Sequence, residues 1–274
     1  MKRTERVGAI LNVLSQNPNR IYPLSYFCAL FQAAKSTVSE DVSIARELLQ
    51  TMGSGRIDTI TGARGGIRFL PTVSSQDAEK LLDELCRKLS DGNRILGGGF
   101  LYTSDLMFDA DLTRRIGQLF ACRFMDAGAD YVVTVETKGI PVALMTAHML
   151  NLPLVVIRRE AKVSEGSTVS INYFSGSSDR IEKMSLSKRA LAPGSSAIVI
   201  DDFMRAGGSL RGIQDMLAEF DVSIAGMGVV IASAQPEKKK VQGYFPLLYL
   251  EKVDEEEKLI EVCRNEEAIC RNDL

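Results

Sequence analysis

Two adjacent carboxylates, Asp201 and Asp202, end the apolar run Ala197 to Ile200, and Phe203, Met204, Arg205, Ala206, Gly207, Gly208 and Ser209 follow. This order reads as an apolar strand, an acidic pair, a turn with paired glycines and a hydroxyl at the start of a helix. It suits a sugar phosphate. At the carboxyl end of a parallel strand the acids can accept hydrogen bonds from ribose hydroxyls. The loop amides and Ser209, at the amino end of the helix, can hold a phosphate. No Gly-Lys-Ser/Thr follows the glycines, so the loop is not of the Walker A kind. The competing reading, an ordinary turn with helix-cap residues, leaves two carboxylates beside a sheet poorly compensated.

A second anion-binding candidate lies in Val135 to Pro141, between an apolar strand and a helical pattern. The amides of Thr137, Lys138 and Gly139, with the Lys138 ammonium, would suit a diphosphate. A solvated turn lysine is the plainer alternative there. A third group is of another kind. Lys35, Ser36, Thr37 and Ser39, followed by Glu40, open a helical stretch with short polar side chains, while Val38, Val42 and Ala45 face the other way. A helix-turn-helix reads DNA with such a first turn in the major groove. The glycine-rich segment Thr61 to Gly66 carries Arg64, and Arg68 follows it, so a hairpin tip could approach phosphates or a minor groove. The alternative is a small interaction domain whose Ser and Thr residues only cap helices.

The elements that must position these groups follow from periodicity. In Glu5 to Gln16, the residues Val7, Ile10, Leu11 and Leu14 form one helical stripe, ended by Asn17 and Pro18. Helices are predicted over Leu24 to Gln32 and Ser36 to Met52, the latter with Thr37 and Glu40 as a capping box. Arg56 to Ile60 and Ile67 to Leu70 read as the two strands of a hairpin. Three helices and a hairpin make a winged helix-turn-helix. Pro71 and the polar residues 72–76 mark a boundary, giving domains 1–73 and 74–274. Beyond it, Asp77 to Leu89 is a helix, and strands at Tyr131 to Val135, Leu152 to Ile157, Ala197 to Ile200 and Ile224 to Ile231 alternate with helices near Thr113 to Met125, Val142 to Leu150 and Leu210 to Phe220. That alternation predicts an α/β domain with a mostly parallel sheet. Thr168 to Phe174 and Arg180 to Leu186 read as an antiparallel ribbon.

The chain resembles the type I phosphoribosyltransferases. The order of apolar residues, acidic pair, loop and hydroxyl is their signature for 5-phosphoribosyl 1-diphosphate (PRPP), and Thr137 to Gly139 correspond to their diphosphate loop. With the winged helix in front, essentially the whole chain is similar to the purine operon repressors of Gram-positive bacteria. Arg158 to Tyr173 then correspond to the loop and ribbon covering the site, which implies that Arg158 and Lys162 reach toward the diphosphate and that Tyr102, in a segment with Asp105, lies near it. The resemblance implies homodimers on double-stranded operator DNA of purine synthesis genes. It also implies PRPP as the inducer that weakens DNA binding, with Mg²⁺ as a companion ion, and the alarmone guanosine tetraphosphate (ppGpp) as a competing ligand.

Catalysis is not expected. A purine transferase needs a base platform and a cover over an oxocarbenium-like transition state, and no base hood is identifiable. Arg205 and Ala206 stand where active relatives commonly place a small residue and Thr. The alternative is a xanthine-type phosphoribosyltransferase with an added dimerisation domain. Lys238 to Lys240 and the acidic stretch Asp254 to Glu257 read as solvated faces, and His148, the single histidine, as structural.

Composition narrows the classes. With 45% hydrophobic and 25% charged residues the 274-residue chain is globular in type. It has no apolar run of membrane-spanning length and no greasy leader, so a cytoplasmic place and no membrane partner are expected. Five widely spaced cysteines without a CxxC pair predict neither a disulfide framework nor a metal site. Residues 1–73 carry nine Lys/Arg against five Asp/Glu, leaving the remainder with 24 against 30. A basic module joined to an acidic one places a polyanion at the first.

Overall fold

The computed structural model describes residues 1–62, 65–161, 166–175 and 181–269. The chain divides into two compact units, Met1–Ser74 with His148–Asn151, and Ser75–Ala147 with Leu152–Leu274.

In the first unit, helices α1 (Arg3–Gln16), α2 (Leu24–Phe31) and α3 (Lys35–Met52) precede the hairpin of β1 (Gly55–Ile60) and β2 (Gly66–Pro71). The strands pair antiparallel, with Ile57 opposite Phe69. Ile10 and Leu14 of α1, Phe27 of α2, and Val38, Val42 and Ala45 of α3 share one core with Ile57, Ile67 and Phe69 of the hairpin. These are the stripes that the helical and strand periods pick out. The expected capping box at Thr37 and Glu40 does not form. Helix α3 starts one residue earlier than expected, with Ala34 as its N-cap, three residues before Thr37, and no side-chain cap, and the Glu40 carboxylate is taken by Arg3 at 2.8 Å.

In the second unit, six strands form a sheet in the order β12-β11-β10-β9-β5-β6. They are β5 (Tyr131–Val135), β6 (Leu154–Ile157), β9 (Ser196–Met204), β10 (Ser223–Ser233), β11 (Tyr244–Asp254) and β12 (Leu259–Arg264). All neighbours are parallel except β11 and β12. Helices α4 (Ser75–Leu89), α5 (Ser104–Met107), α6 (Ala110–Phe124), α7 (Ile140–Leu150) and α8 (Gly208–Glu219) complete this part of the chain with a short hairpin, β3 (Ile95–Leu96) and β4 (Phe100–Leu101), and the ribbon β7 (Thr168–Phe174) with β8 (Ile181–Ser187).

Strands β11 and β12 are not predicted by the sequence reading. Their turn contains the acidic stretch that reads as a solvated face. The stretch is largely exposed, as read; within it Glu255 accepts the amide of Gly99 at 2.6 Å, and Asp254 pairs with Lys252 at 3.0 Å.

Topology locates a crevice. From β5 the chain crosses through α7 to β6 on one side, and from β9 through α8 to β10 on the other, so the winding direction changes between β5 and β9. Their pairing stops at Val133 opposite Val199, although both strands run on, to Val135 and Met204. Open α/β sheets bind ligands at such a switch point, outside the carboxyl ends of the strands.

Candidate functional site

A cavity of about 600 Å³ lies there. Its floor is the end of β9, with Asp201 buried and Asp202 half-buried. The Asp202 amide donates to Asp201 Oδ1 at 3.0 Å. Burial, and then the neighbouring Asp202 charge, push the Asp201 carboxyl well above the usual range. Burial also raises Asp202, against the hydrogen bond with Asp201 and the Lys138 charge, which lower it. The pair therefore holds a proton more readily than exposed carboxylates would.

One wall is the loop after β5. Thr137, Lys138 and the backbone near Glu136 face the cavity, and Lys138 Nζ donates to Thr103 Oγ1 at 3.4 Å. A Cβ at Gly139 would stand 2.7 Å from Thr134 Oγ1 and 3.1 Å from Asp201 Oδ1. Glycine lets this loop descend onto the acidic pair.

The facing wall is the loop from Arg205 to Ser209, all five residues of which line the cavity. Gly207 is the N-cap of α8 with φ +82°, a conformation that favours glycine. The first amides of α8 have no partner within the helix, and the helix dipole favours an anion before them. Phe203 and Met204, also expected at the site, line the same cavity.

Two expected residues are placed otherwise. Tyr102 is not on the cavity wall; Leu101 and Thr103 are. Side chains alternate along extended chain, so the residue between these two points away, and its carbonyl accepts from Arg94 at 2.9 Å. Asp105, in the same segment, is held by Arg94 at 2.7 Å. Arg158 likewise yields to its neighbour. Its backbone pairs with Ser185, its guanidinium lies 3.5 Å from Glu136, and Arg159 lines the cavity instead. Lys162 lies outside the described residues.

Other wall residues were missed by sequence reasoning. Phe100 and Leu101 of the β3–β4 hairpin and Leu250 to Val253 of β11 close the side away from β5. No contiguous motif marks them, because they come from distant segments; the pattern Tyr244 to Leu250 was nevertheless a readable strand. Lys239 was read as solvated. It is half-buried and donates to the carbonyls of Ser233 at 2.5 Å and Arg205 at 2.8 Å.

The first unit carries a candidate nucleic-acid surface. Lys35, Ser36 and Ser39 are exposed at the start of α3, and Thr37 is half-buried. Beneath them, fully buried Asp41 accepts from Arg6 Nε at 2.6 Å and Nη2 at 3.2 Å, so an ion pair fixes α3 to α1. The spacing of Arg3 and Arg6 on one helix face opposite Glu40 and Asp41 is the signal that could have revealed it. Arg68 is turned inward: Nη1 donates to Asn19 at 3.0 Å, Nη2 lies 3.7 Å from Asp58, and Nε is buried with no hydrogen-bond partner among the described residues. Arg64 lies outside the described residues.

Comparison with known proteins separates the two units in the same way. Residues 2–71 match the family described as bacterial purine repressor, N-terminal, and residues 109–266 match the phosphoribosyl transferase domain. A probable purine biosynthesis transcriptional regulator of Streptococcus pneumoniae is 43% identical over 96% of both chains. The purine biosynthesis transcriptional repressor of Bacillus subtilis is 40% identical over 95% of this chain and 92% of its own. A relative from Lactococcus lactis, 36% identical over 96% and 97%, is named a transcriptional activator. Among solved structures, adenine phosphoribosyltransferase of Giardia lamblia superposes with TM-score 0.53 at 17% identity, over 66% of this chain and all of that one. That likeness shows the fold. Among the described residues no helix is long and apolar enough to cross a membrane.

Proposed function

The chain belongs to the bacterial purine repressor family, whose relatives are named as regulators of purine biosynthesis genes, and from that premise we propose that it is a repressor which binds operator DNA as a homodimer and is released by PRPP. The observation that carries this reading is a convergence. The acidic pair 201–202, Thr137 and Lys138, and the amino end of α8 meet in one cavity, in a chain whose residues 2–71 match a repressor's N-terminal domain.

In this reading Asp201 and Asp202 accept the ribose hydroxyls, Gly207 to Ser209 hold the 5-phosphate, and Thr137 to Gly139 with Lys138 face the diphosphate. Mg²⁺ would travel with the diphosphate, most of its ligands being phosphate oxygens and water. Lys35, Ser36, Thr37 and Ser39 face the DNA. A ligand that prefers the DNA-free state is itself bound less tightly when DNA is present, and this reciprocity is the coupling. The alarmone ppGpp, whose ribose also carries a diphosphate, competes for the same cradle.

Gel-shift titration on DNA upstream of purine synthesis genes, with and without PRPP and Mg²⁺, tests both halves. Operator affinity should fall as PRPP rises; unchanged affinity at saturating PRPP would sink the reading. Tighter binding under PRPP would point to the activator behaviour named for the Lactococcus relative.

A transferase reading is favoured by one observation, the walled cavity over the cradle. It is separated by diphosphate release with adenine, guanine, hypoxanthine and xanthine. Release at the protein-free rate is expected; release well above it would make the chain an enzyme.

A further inference from the structure

The segment after β10 runs alongside the phosphate loop and contacts it residue by residue. Lys239 donates through Nζ to the Arg205 carbonyl at 2.8 Å. The Lys240 amide donates to the Ala206 carbonyl at 2.8 Å. A Cβ at Gly207 would stand 3.0 Å from Val241 Cγ2. Three consecutive residues thus hold three others, and Val241 itself is buried.

The Lys239 ammonium is fully used. It has three donors, and these meet three carbonyls, those of Ser233 at 2.5 Å, Arg205 at 2.8 Å and Ala234 at 3.3 Å. Its charge is solvated by main-chain oxygens, and burial lowers its pKa. The ammonium also ties the loop to the end of β10, a central strand, through Ser233.

A peptide unit is planar and trans, with its carbonyl oxygen and its N–H on opposite sides. When the Arg205 carbonyl points to Lys239, the N–H of Ala206 points the other way. When the Ala206 carbonyl points to Lys240, the N–H of Gly207 likewise points away from it. Lys239 and Lys240 do not line the cavity, whereas Arg205, Ala206 and Gly207 do. The two outward carbonyls therefore turn two amides toward the ligand side.

We infer that Lys239 is a positioning residue for the anion site: by holding the Arg205 carbonyl against the end of β10 it presets the loop amides that receive the ligand's phosphate, without touching the ligand. This rests on the reading of the cavity as a PRPP site. A preset donor array binds an anion without a reordering cost at each encounter.

The test compares full-length Lys239→Met with Lys238→Ala, which removes the same charge from an exposed neighbour. Calorimetry with PRPP and with inorganic diphosphate should show Lys239→Met weakened about tenfold or more, the scale of lost hydrogen bonds to a charged group, and Lys238→Ala within about twofold of the parent. The salt dependence of ligand binding should be the same in both variants. Equal weakening in both would mean diffuse attraction between lysines and an anion, and would overturn the proposal, as would parent-like affinity in Lys239→Met. Amide exchange over residues 205–209 gives a readout that needs no ligand, and it should quicken in Lys239→Met alone. If the parent itself binds no PRPP, the PRPP reading fails while exchange still decides the role of Lys239. Should Lys239→Met not fold, Lys239→Gln, which keeps two donors, takes its place with intermediate effects expected.

Discussion

The proposed cradle and the proposed DNA face use polar groups in opposite ways. In the proposed cradle the polar groups are an acidic pair, Asp201 buried and Asp202 half-buried, and main-chain amides, placed by strand ends and a helix start. On the first unit they are exposed side chains on a helix whose seat is fixed below by the Arg6–Asp41 pair. Backbone-built sites are set by topology, so a change of one side chain disturbs them mainly through loop shape or charge burial. Side-chain-built sites depend on which residues remain available after internal pairing. Arg68 shows the point, since much of its guanidinium is engaged within its own unit.

The largest effect should come from the acidic pair. Asp201→Asn is expected to weaken PRPP binding by at least about a hundredfold, because a buried acceptor is exchanged for a group that also donates, and to leave operator affinity unaltered. Calorimetry and gel shifts on one preparation check both. Stability should move oppositely. The folded pKa of Asp201 is raised by burial and by Asp202, so its ionised form disfavours the folded state. The destabilisation is absent below the unfolded pKa and grows as pH rises through and beyond that value until the folded pKa is passed. Asp201→Asn should therefore melt higher than the parent at neutral pH, with the difference narrowing on acidification. A lower melting point at neutral pH would deny that burial sets the state of this carboxyl.

Gly139→Ala attacks the same site through shape. Its Cβ would meet Thr134 Oγ1 and Asp201 Oδ1, and PRPP affinity should drop by about tenfold or more as the 137–139 loop lifts. Parent-like affinity would mean that the loop need not come down on the acids, and the contrast between a backbone-built and a side-chain-built site would weaken.

These differences also explain what could be read from sequence. The proposed cradle is contiguous: Ala197 to Ser209 encode strand, acids, loop and helix start in one stretch, so its elements and their place on one cavity were legible together. The core stripes of α1 and α3 were legible for the same reason, being local periodicities. What failed depends on tertiary placement. Tyr102 and Arg158 were chosen by segment, but alternation along extended chain gave the cavity to Leu101, Thr103 and Arg159. Lys239 reads as one of three solvated lysines until the fold brings the Arg205 and Ser233 carbonyls to it. The capping box at Thr37 failed because α3 already begins at Lys35, which puts Thr37 inside the helix, and Glu40 pairs with Arg3, 37 residues away.

On the DNA side the expected effects are smaller and separable. Thr37→Ala or Ser39→Ala should cost roughly 1–3 kcal/mol of specific operator binding if the hydroxyl meets a base edge, with little change on scrambled DNA. Competition gel shifts at fixed salt measure the ratio. Equal losses on both DNAs would move these residues to the phosphates.

The finest test sets Lys35 against Arg68. Both were expected at the DNA, and both are cations of a basic module. Lys35 is exposed at the start of α3, while Arg68 is held by Asn19 and lies near Asp58. A phosphate contact releases condensed counterions, and each one lost lowers the slope of log affinity against log salt by about 0.9. Lys35→Ala should show about that reduction. Arg68→Ala should leave the slope nearly unchanged, because its charge is already partly balanced by Asp58. It should instead lower the melting point slightly, since Asn19 Oδ1 loses its donor, while Asp58 keeps Arg56 at 3.2 Å. The two variants have the same formal charge, so a nonspecific attraction would change both slopes alike. A slope that falls for Arg68→Ala as much as for Lys35→Ala would mean that Arg68 leaves its internal partners on DNA, and that the pairings of the unbound chain do not decide which side chains this surface offers.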